Sequence, residues 1–148
     1  GVQTCALPLF LACAILAWWQ DQWVPLGLSF ESSWAVPLGT GLVVLGLVLV
    51  MLALWAFARH RTTPIPHRQA SALITSGIFA WWRNPIYLAD VMILTGLILR
   101  WNAVVSLPLI PFLAWIIQIR FIRAEEARLQ KAFGDAFLRY QVQTRRWL

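Results

Sequence analysis

The chain has 148 residues, 60% of them hydrophobic and 12% charged, with ten tryptophans and a formal net charge of +6. An average soluble domain has roughly 45–50% apolar and about 25% charged residues, so this composition excludes a water-soluble core and points to one integral membrane domain over residues 1–148. The basic surplus does not indicate nucleic acid, because the arginines bracket hydrophobic runs and form no dense block; they read as topology signals facing anionic lipid.

Residues 4–19, TCALPLFLACAILAWW, suffice for one short crossing at roughly 1.5 Å per residue. No basic stretch precedes this run, so it reads as a retained helix and not as a signal peptide. Cys5 and Cys13 both fall in it without CxxC spacing and read as buried thiols. The loop at 20–37 contains Asp21 and Glu31 but no lysine or arginine, which by the positive-inside rule turns it away from the cytoplasm. Residues 38–58 are the clearest transmembrane helix, closed by Arg59, His60 and Arg61. Its Gly39, Gly41 and Gly46 predict close approach of neighbouring helices. A phosphate-cradling glycine loop would need a strand before it and a helix after it.

Arg59, Arg61, Arg68 and Arg83 then place residues 59–85 on the cytoplasmic side. Thr63-Pro64-Ile65-Pro66 is expected to be extended, since each proline pushes its predecessor out of the helical region. His60 and His67 read as loop histidines near lipid headgroups, and no metal-ligand spacing occurs in the chain. Residues 86–99 and 103–122 are apolar runs joined through Arg100-Trp101-Asn102, a turn tight enough to predict an antiparallel hairpin. Pro108 and Pro111 predict a kink in its second arm. Residues 123–143 are charged yet periodic, with Leu129, Phe133, Phe137 and Tyr140 on one face and a break at Gly134. Arg128, Lys131 and Arg139 keep this helix cytoplasmic, and Arg145, Arg146 and Trp147 look like an interfacial anchor. The expectation is an all-α integral membrane protein. It has four transmembrane helices including a helical hairpin, a cytoplasmic C-terminal amphipathic helix, and both termini cytoplasmic.

That topology brings two polar constellations to one face. The first is the stretch 73–88, LITSGIFAWWRNPIYL, and the second is Glu125-Glu126. Arginine offers a planar fork of donors for a carboxylate, and adjacent acids at a helix start accept bonds from a ribose diol or an ammonium. The plainer readings are a topology charge for Arg83 and helix-dipole acids for Glu125 and Glu126. Asp90 lies one helical turn beyond Tyr87, where an ionisable group in a membrane helix calls for a partner. Pairing with Arg83 or Arg123 is its structural reading, and deprotonation of an acceptor the sharper one.

The order of these motifs, with a hydrophobic hairpin between them, resembles the isoprenylcysteine carboxyl methyltransferase family and its phospholipid methyltransferase relatives over residues 63–147. The family's Arg-His-Pro-x-Tyr motif falls on Arg83, Asn84, Pro85 and Tyr87, and its acidic pair on Glu125 and Glu126. Asn84 stands where histidine is commonest, a replacement frequent among bacterial relatives, and Phe137 stands where tyrosine is usual. The resemblance implies S-adenosyl-L-methionine as cofactor, bound between the last membrane helices and the tail by Thr75, Gly77, Arg83, Asn84, Pro85, Tyr87, Leu88, Glu125 and Glu126. It implies Arg83 and Asn84 as catalytic candidates, to which the position of Asp90 in its helix adds a third, with no metal.

Methyl transfer asks little of the protein beyond excluding water, aligning the acceptor, and holding or deprotonating it, because the sulfonium is already an activated electrophile. Tyr87 and the tryptophans Trp81 and Trp82 are expected to form an aromatic wall that favours the sulfonium by cation–π attraction. The implied acceptor is lipidic or amphipathic, a prenylated thiol or carboxylate, a phospholipid amine or a thiol, entering sideways from the bilayer. The implied location is a bacterial inner membrane, and nothing in the sequence fixes an oligomeric state. Two other readings are a membrane reductase of the sterol-reductase type using NADPH, and a non-catalytic membrane scaffold.

Overall fold

The computed structural model describes residues 6–23, 33–61 and 73–147. Cys5, Glu31, the Thr63-Pro64-Ile65-Pro66 stretch, His67 and Arg68 lie outside the described residues. All regular structure in the described part is helical, and the one β contact there is an isolated bridge between Trp82 and Arg145.

Helix α1 spans Leu7–Trp23 and α2 spans Ala35–Arg59. The polar stretch expected to begin the loop at Gln20 is therefore helical as far as Trp23. Pro37 sits in the first turn of α2, where its missing N–H has no intrahelical acceptor to lose. Helix α3, Pro85–Arg100, has Pro85 at its start for the same reason and ends where Asn102 turns the chain with φ of 56°.

The second arm differs from expectation. A short 3-10 turn at Val104–Ser106 leads into α4, Leu109–Ile116, so Pro108 caps that helix and Pro111 lies in its first turn. At those positions proline breaks no intrahelical hydrogen bond, so neither proline supplies the expected cause of a kink. The irregularity lies further on, in a π-helical segment at Ile117–Ile122 that continues without interruption into α5, Arg123–Phe133. Gly134, at φ 52°, separates α5 from α6, Asp135–Gln143, as the sequence predicts.

Two helices are long and apolar enough to cross a membrane, Ala35–Arg59 and the continuous Val104–Phe133. Few residues in the apolar stretch of either helix are buried. Leu45, Leu47, Met51, Trp55 and Trp115 face outward. A core helix of a soluble protein hides such side chains; these faces need lipid as their solvent. At 17 and 16 residues, α1 and α3 fall short of the roughly 20 residues that a perpendicular crossing requires.

Helices α2 and α3 pack antiparallel along a seam of small residues. A Cβ placed on Gly39 would lie 2.6 Å from the carbonyl oxygen of Gly96, and one on Gly46 would lie 2.5 Å from Ile93 Cγ1. Gly39 and Gly46 thus close the gap, with Gly96 answering from α3. Gly41, also expected to pack, faces open space. On the other side of α3, Tyr87, Leu94 and Ile98 join Cys13, Ala14 and Ala17 of α1 and Leu113, Ile117 and Ile122 of the second arm in one buried cluster. Tyr87, near the start of α3, meets Phe121, near the end of that arm, at a ring separation of 6.4 Å, so the hairpin is antiparallel.

One end of the bundle is tied by Arg100 Nη1 donating to Thr40 Oγ1 at 2.9 Å and Ser106 Oγ donating to Gln20 Oε1 at 3.2 Å. The opposite end carries the arginine-bearing stretch and the tail.

Candidate functional site

The stretch after residue 73 is fixed first by apolar contacts. Ile74, Ile78 and Phe79 pack on Ala53, Ala56 and Phe57 at the end of α2, with Phe57 and Phe79 edge to face at 5.4 Å. Gly77 takes φ of +63°, a left-handed conformation that glycine adopts without steric cost, and opens the 3-10 turn Gly77–Ala80. The chain then runs through Arg83 and Asn84 into α3.

The C-terminal segment folds back over this bend. The Arg83 amide donates to the Arg145 carbonyl at 2.9 Å, and the Arg145 amide donates to the Trp81 carbonyl at 3.3 Å. Tyr140 Oη donates to the Phe79 carbonyl at 2.6 Å, a buried bond between α6 and the 3-10 turn. Burial pushes the Tyr140 hydroxyl up to about 12, against smaller lowering effects of the Thr144 hydrogen bond and the Arg83 charge, so it stays a neutral donor.

Beside this fold-back, Arg83 Nη2 stands 3.8 Å from Glu126 Oε1, both side chains being 12% exposed. Arg146 grips the same carboxylate with two donors, Nε at 3.1 Å and Nη2 at 2.7 Å. Such fork-on-fork geometry gives both strength and orientation. Tyr87 Oη donates to Glu125 Oε2 at 3.5 Å. Phe121 and Glu125 are four residues apart and so share one helix face, and both meet Tyr87. Glu125 and Glu126 do not begin a free helix; the chain is helical without a break from Leu109 to Phe133. The helix-dipole reading of this acidic pair therefore lacks its N-terminus. The π segment just before it has the wider turn that recurs at functional sites.

The predicted residues separate into three sets. Arg83, Tyr87, Glu125 and Glu126 are brought together, with Pro85 and Leu88 buried beside them. Asn84, 4% exposed, uses its Nδ2 on the Arg146 carbonyl at 3.4 Å, holding the tail rather than capping α3. Thr75 and Gly77 are exposed on the approach to the turn, outside the contacts that bind loop to tail. Asp90 is buried, and neither Arg83 nor Arg123 forms the expected ion pair with it; the ion pairs among the described residues are Arg83–Glu126 and Arg146–Glu126. Trp81 is 70% exposed and so is not buried among these residues, as the expected aromatic wall requires. Residues 145–147, expected as a lipid anchor, turn inward instead, with Trp147 Nε1 donating to Gln118 Oε1 at 3.0 Å.

One atom in this cluster is unsatisfied. Arg83 Nε is buried and has no hydrogen-bond partner, although Nη1 reaches the Gln141 carbonyl at 3.5 Å. A buried guanidinium donor without an acceptor is costly. It suits an anionic group brought by a ligand.

The profile of the phospholipid methyltransferase family matches residues 34–136. The chain belongs to that family. Membership implies a membrane methyltransferase, in keeping with the outward apolar faces of α2 and of the 104–133 helix. It favours methyl transfer over the reductase and scaffold readings. No curated protein matches the chain significantly, and no solved structure does. The part matched to phospholipid methyltransferase contains every predicted site residue but stops at 136. Tyr140, Arg145, Arg146 and Trp147, which close the cluster, lie beyond it. The sequence marks Tyr140 only as part of an apolar helix face, and a basic pair and a tryptophan near a membrane helix read first as an anchor.

Proposed function

We propose that this chain is an integral membrane methyltransferase that uses S-adenosyl-L-methionine to methylate a lipidic or amphipathic acceptor. The whole chain acts as one domain, and the cofactor-binding part lies at about residues 63–147. The observation that carries this reading is the buried, unpartnered Nε of Arg83 beside the acidic pair. The cofactor's amino acid end combines a carboxylate with an ammonium, and the cluster offers an arginine fork and two carboxylates.

In this reading Arg83 holds the carboxylate, while Glu125 and Glu126 accept from the polar end and Asn84 keeps the tail closed. Pro85, Tyr87 and Leu88 form the floor, and Thr75 and Gly77 line the approach. When bound, the cofactor supplies a sulfonium methyl group as electrophile. The protein's part is to orient and to exclude water, and both follow from a tail that folds over the bend.

Four crossings are proposed, formed by α1, α2, α3 and the 104–133 helix, with α1 and α3 assisted by flanking tryptophans at the interface. Arg59, Arg61, Arg83, Arg123 and Arg128 gather at the site end, which supports a cytoplasmic site and cytoplasmic termini. A bacterial inner membrane suits the Asn84 variant of the motif.

The test is thermal stabilisation of the detergent-solubilised protein by S-adenosylhomocysteine. Wild type is expected to be stabilised and Arg83→Ala and Glu126→Ala to lose the effect. Stabilisation that survives both substitutions refutes the site. Incubation with methyl-labelled cofactor and lipid extracts then identifies the acceptor by the label it takes up.

A further inference from the structure

Arg146 lies beyond the matched residues 34–136, and its contacts exceed what fastening the C-terminal segment requires. That segment is already held by the Arg83 amide donating to the Arg145 carbonyl at 2.9 Å, by Asn84 Nδ2 on the Arg146 carbonyl and by Trp147 Nε1 on Gln118 Oε1. None of these bonds uses the Arg146 guanidinium. Its Nε and Nη2 go instead to the two oxygens of Glu126, at 3.1 and 2.7 Å.

The effect falls on Arg83. Glu126 is its ion-pair partner among the described residues, and both side chains are largely buried, a setting in which a guanidinium and a carboxylate close to about 2.7–2.9 Å. They stop at 3.8 Å. The same guanidinium reaches the Gln141 carbonyl only at 3.5 Å, and its Nε has no hydrogen-bond partner. Arg146 thus has the better geometry on the shared carboxylate, and the donors of Arg83 are left underused.

We propose that Arg146 is a positioning residue: by occupying Glu126 it keeps that carboxylate off Arg83, and so keeps Arg83 open to the carboxylate of a ligand with an amino acid end. The inference rests on the cofactor reading above for the identity of the ligand and adds the residue that makes its anionic end readable. Without Arg146, Glu126 closes on Arg83, the fork is used internally, and the preference for a ligand carboxylate is lost. Glu126 keeps room for the ligand as well, because a carboxylate has about four lone-pair sites and Arg146 takes only part of them.

The experiment measures equilibrium binding of S-adenosylhomocysteine and of methylthioadenosine to the full chain in dodecyl maltoside. The second ligand has the nucleoside and thioether of the first but lacks its amino acid end. Wild type is expected to prefer S-adenosylhomocysteine by about ten-fold or more, as one charge-assisted bond supplies. Arg146→Ala should lose that preference while binding methylthioadenosine as wild type does. Arg146→Lys, which still places a cation on Glu126, should restore most of it. A residue that only fastened the segment would weaken both ligands alike on removal, and that outcome overturns the proposal. So does wild type binding both equally tightly, a result that needs no variant to fold. A ligand-free arm separates the proposal from the cofactor reading: Arg83→Met should lower the melting temperature about two-fold further in the Arg146→Ala background than in wild type, because only there does it break a closed pair. Wild type that binds neither nucleoside overturns the cofactor reading, and the melting temperatures still decide on Arg146, since an equal effect of Arg83→Met in both backgrounds overturns its role.

Discussion

Arg146 and Glu126, twenty residues apart, meet in a two-donor ion pair at 3.1 and 2.7 Å that fastens the end of the chain beneath the membrane bundle. Glu126 also faces Arg83 at 3.8 Å, so one carboxylate balances two guanidinium groups. Removing Arg146 therefore leaves Glu126 with a partner, whereas removing Glu126 leaves two cations facing each other.

Arg146→Ala is expected to cost about 1–2 kcal/mol, a figure held down by the 38% exposure of the arginine side chain. Glu126→Ala should cost more, about 2–3 kcal/mol, since Arg83 is largely buried and would be left unpaired. Thermal unfolding in detergent ranks the two. If Arg146→Ala proved the more damaging, Glu126 would not be the carboxylate that balances both guanidinium groups.

The Tyr140 hydroxyl makes a buried bond to the Phe79 carbonyl, and Tyr140→Phe would strand that acceptor at a cost of about 1–2 kcal/mol. The folded-state value near 12 exceeds the ordinary tyrosine value. A raised folded value means that stability is fully present below the unfolded value of about 10 and is lost as pH rises through the folded one. The gap in melting temperature between wild type and Tyr140→Phe should accordingly be flat from about pH 6 to 9 and narrow above about pH 10. A gap that varied between pH 6 and 9 would assign the bond to some other titrating group.

Much of this arrangement is legible in the sequence because hydrophobic runs, arginine placement and glycine breaks each act locally. The helix at 35–59, the turn at Arg100-Trp101-Asn102 and the break at Gly134 all follow from such local signals. The approach of Arg83 to Glu126 follows from topology and the spacing of motifs. What stays hidden depends on tertiary partners. Arg146 looks like any interfacial basic residue until the tail is seen to turn inward, and the π segment at 117–122 has no compositional mark distinguishing it from α-helix. Pro108 and Pro111 mislead for a related reason. Their effect depends on where the helix begins, and the 3-10 turn at Val104–Ser106 delays that beginning.

Trp147 and Gln118 provide a second fastening, from the end of the chain to the π segment. Trp147→Phe and Gln118→Leu are each expected to destabilise by about 1 kcal/mol. The double variant should lose clearly less than the sum, because the second change removes a partner that no longer has a bond to make. Additive losses in the thermal unfolding cycle would show that the contact does not couple the two residues.

The helix seam offers a test independent of the site. A Cβ on Gly96 would stand 2.5 Å from the Gly39 carbonyl oxygen and 2.9 Å from the Val43 amide nitrogen, both of them backbone atoms that no rotamer change can move. Gly96→Ala must therefore push α2 and α3 apart, and overpacking of this kind costs about 1–3 kcal/mol or more. Gly41→Ala makes the same chemical change on a face with nothing within 4 Å, and so should alter stability by no more than about 0.5 kcal/mol. Because α3 begins at Pro85, two residues after Arg83, separating it from α2 also displaces the bend from the packing of Phe79 on Phe57. Gly96→Ala is thus expected to weaken S-adenosylhomocysteine binding as well as lower the melting temperature, while Gly41→Ala leaves both unchanged. Equal melting temperatures for the two alanine variants would mean that α2 and α3 do not meet at these glycines.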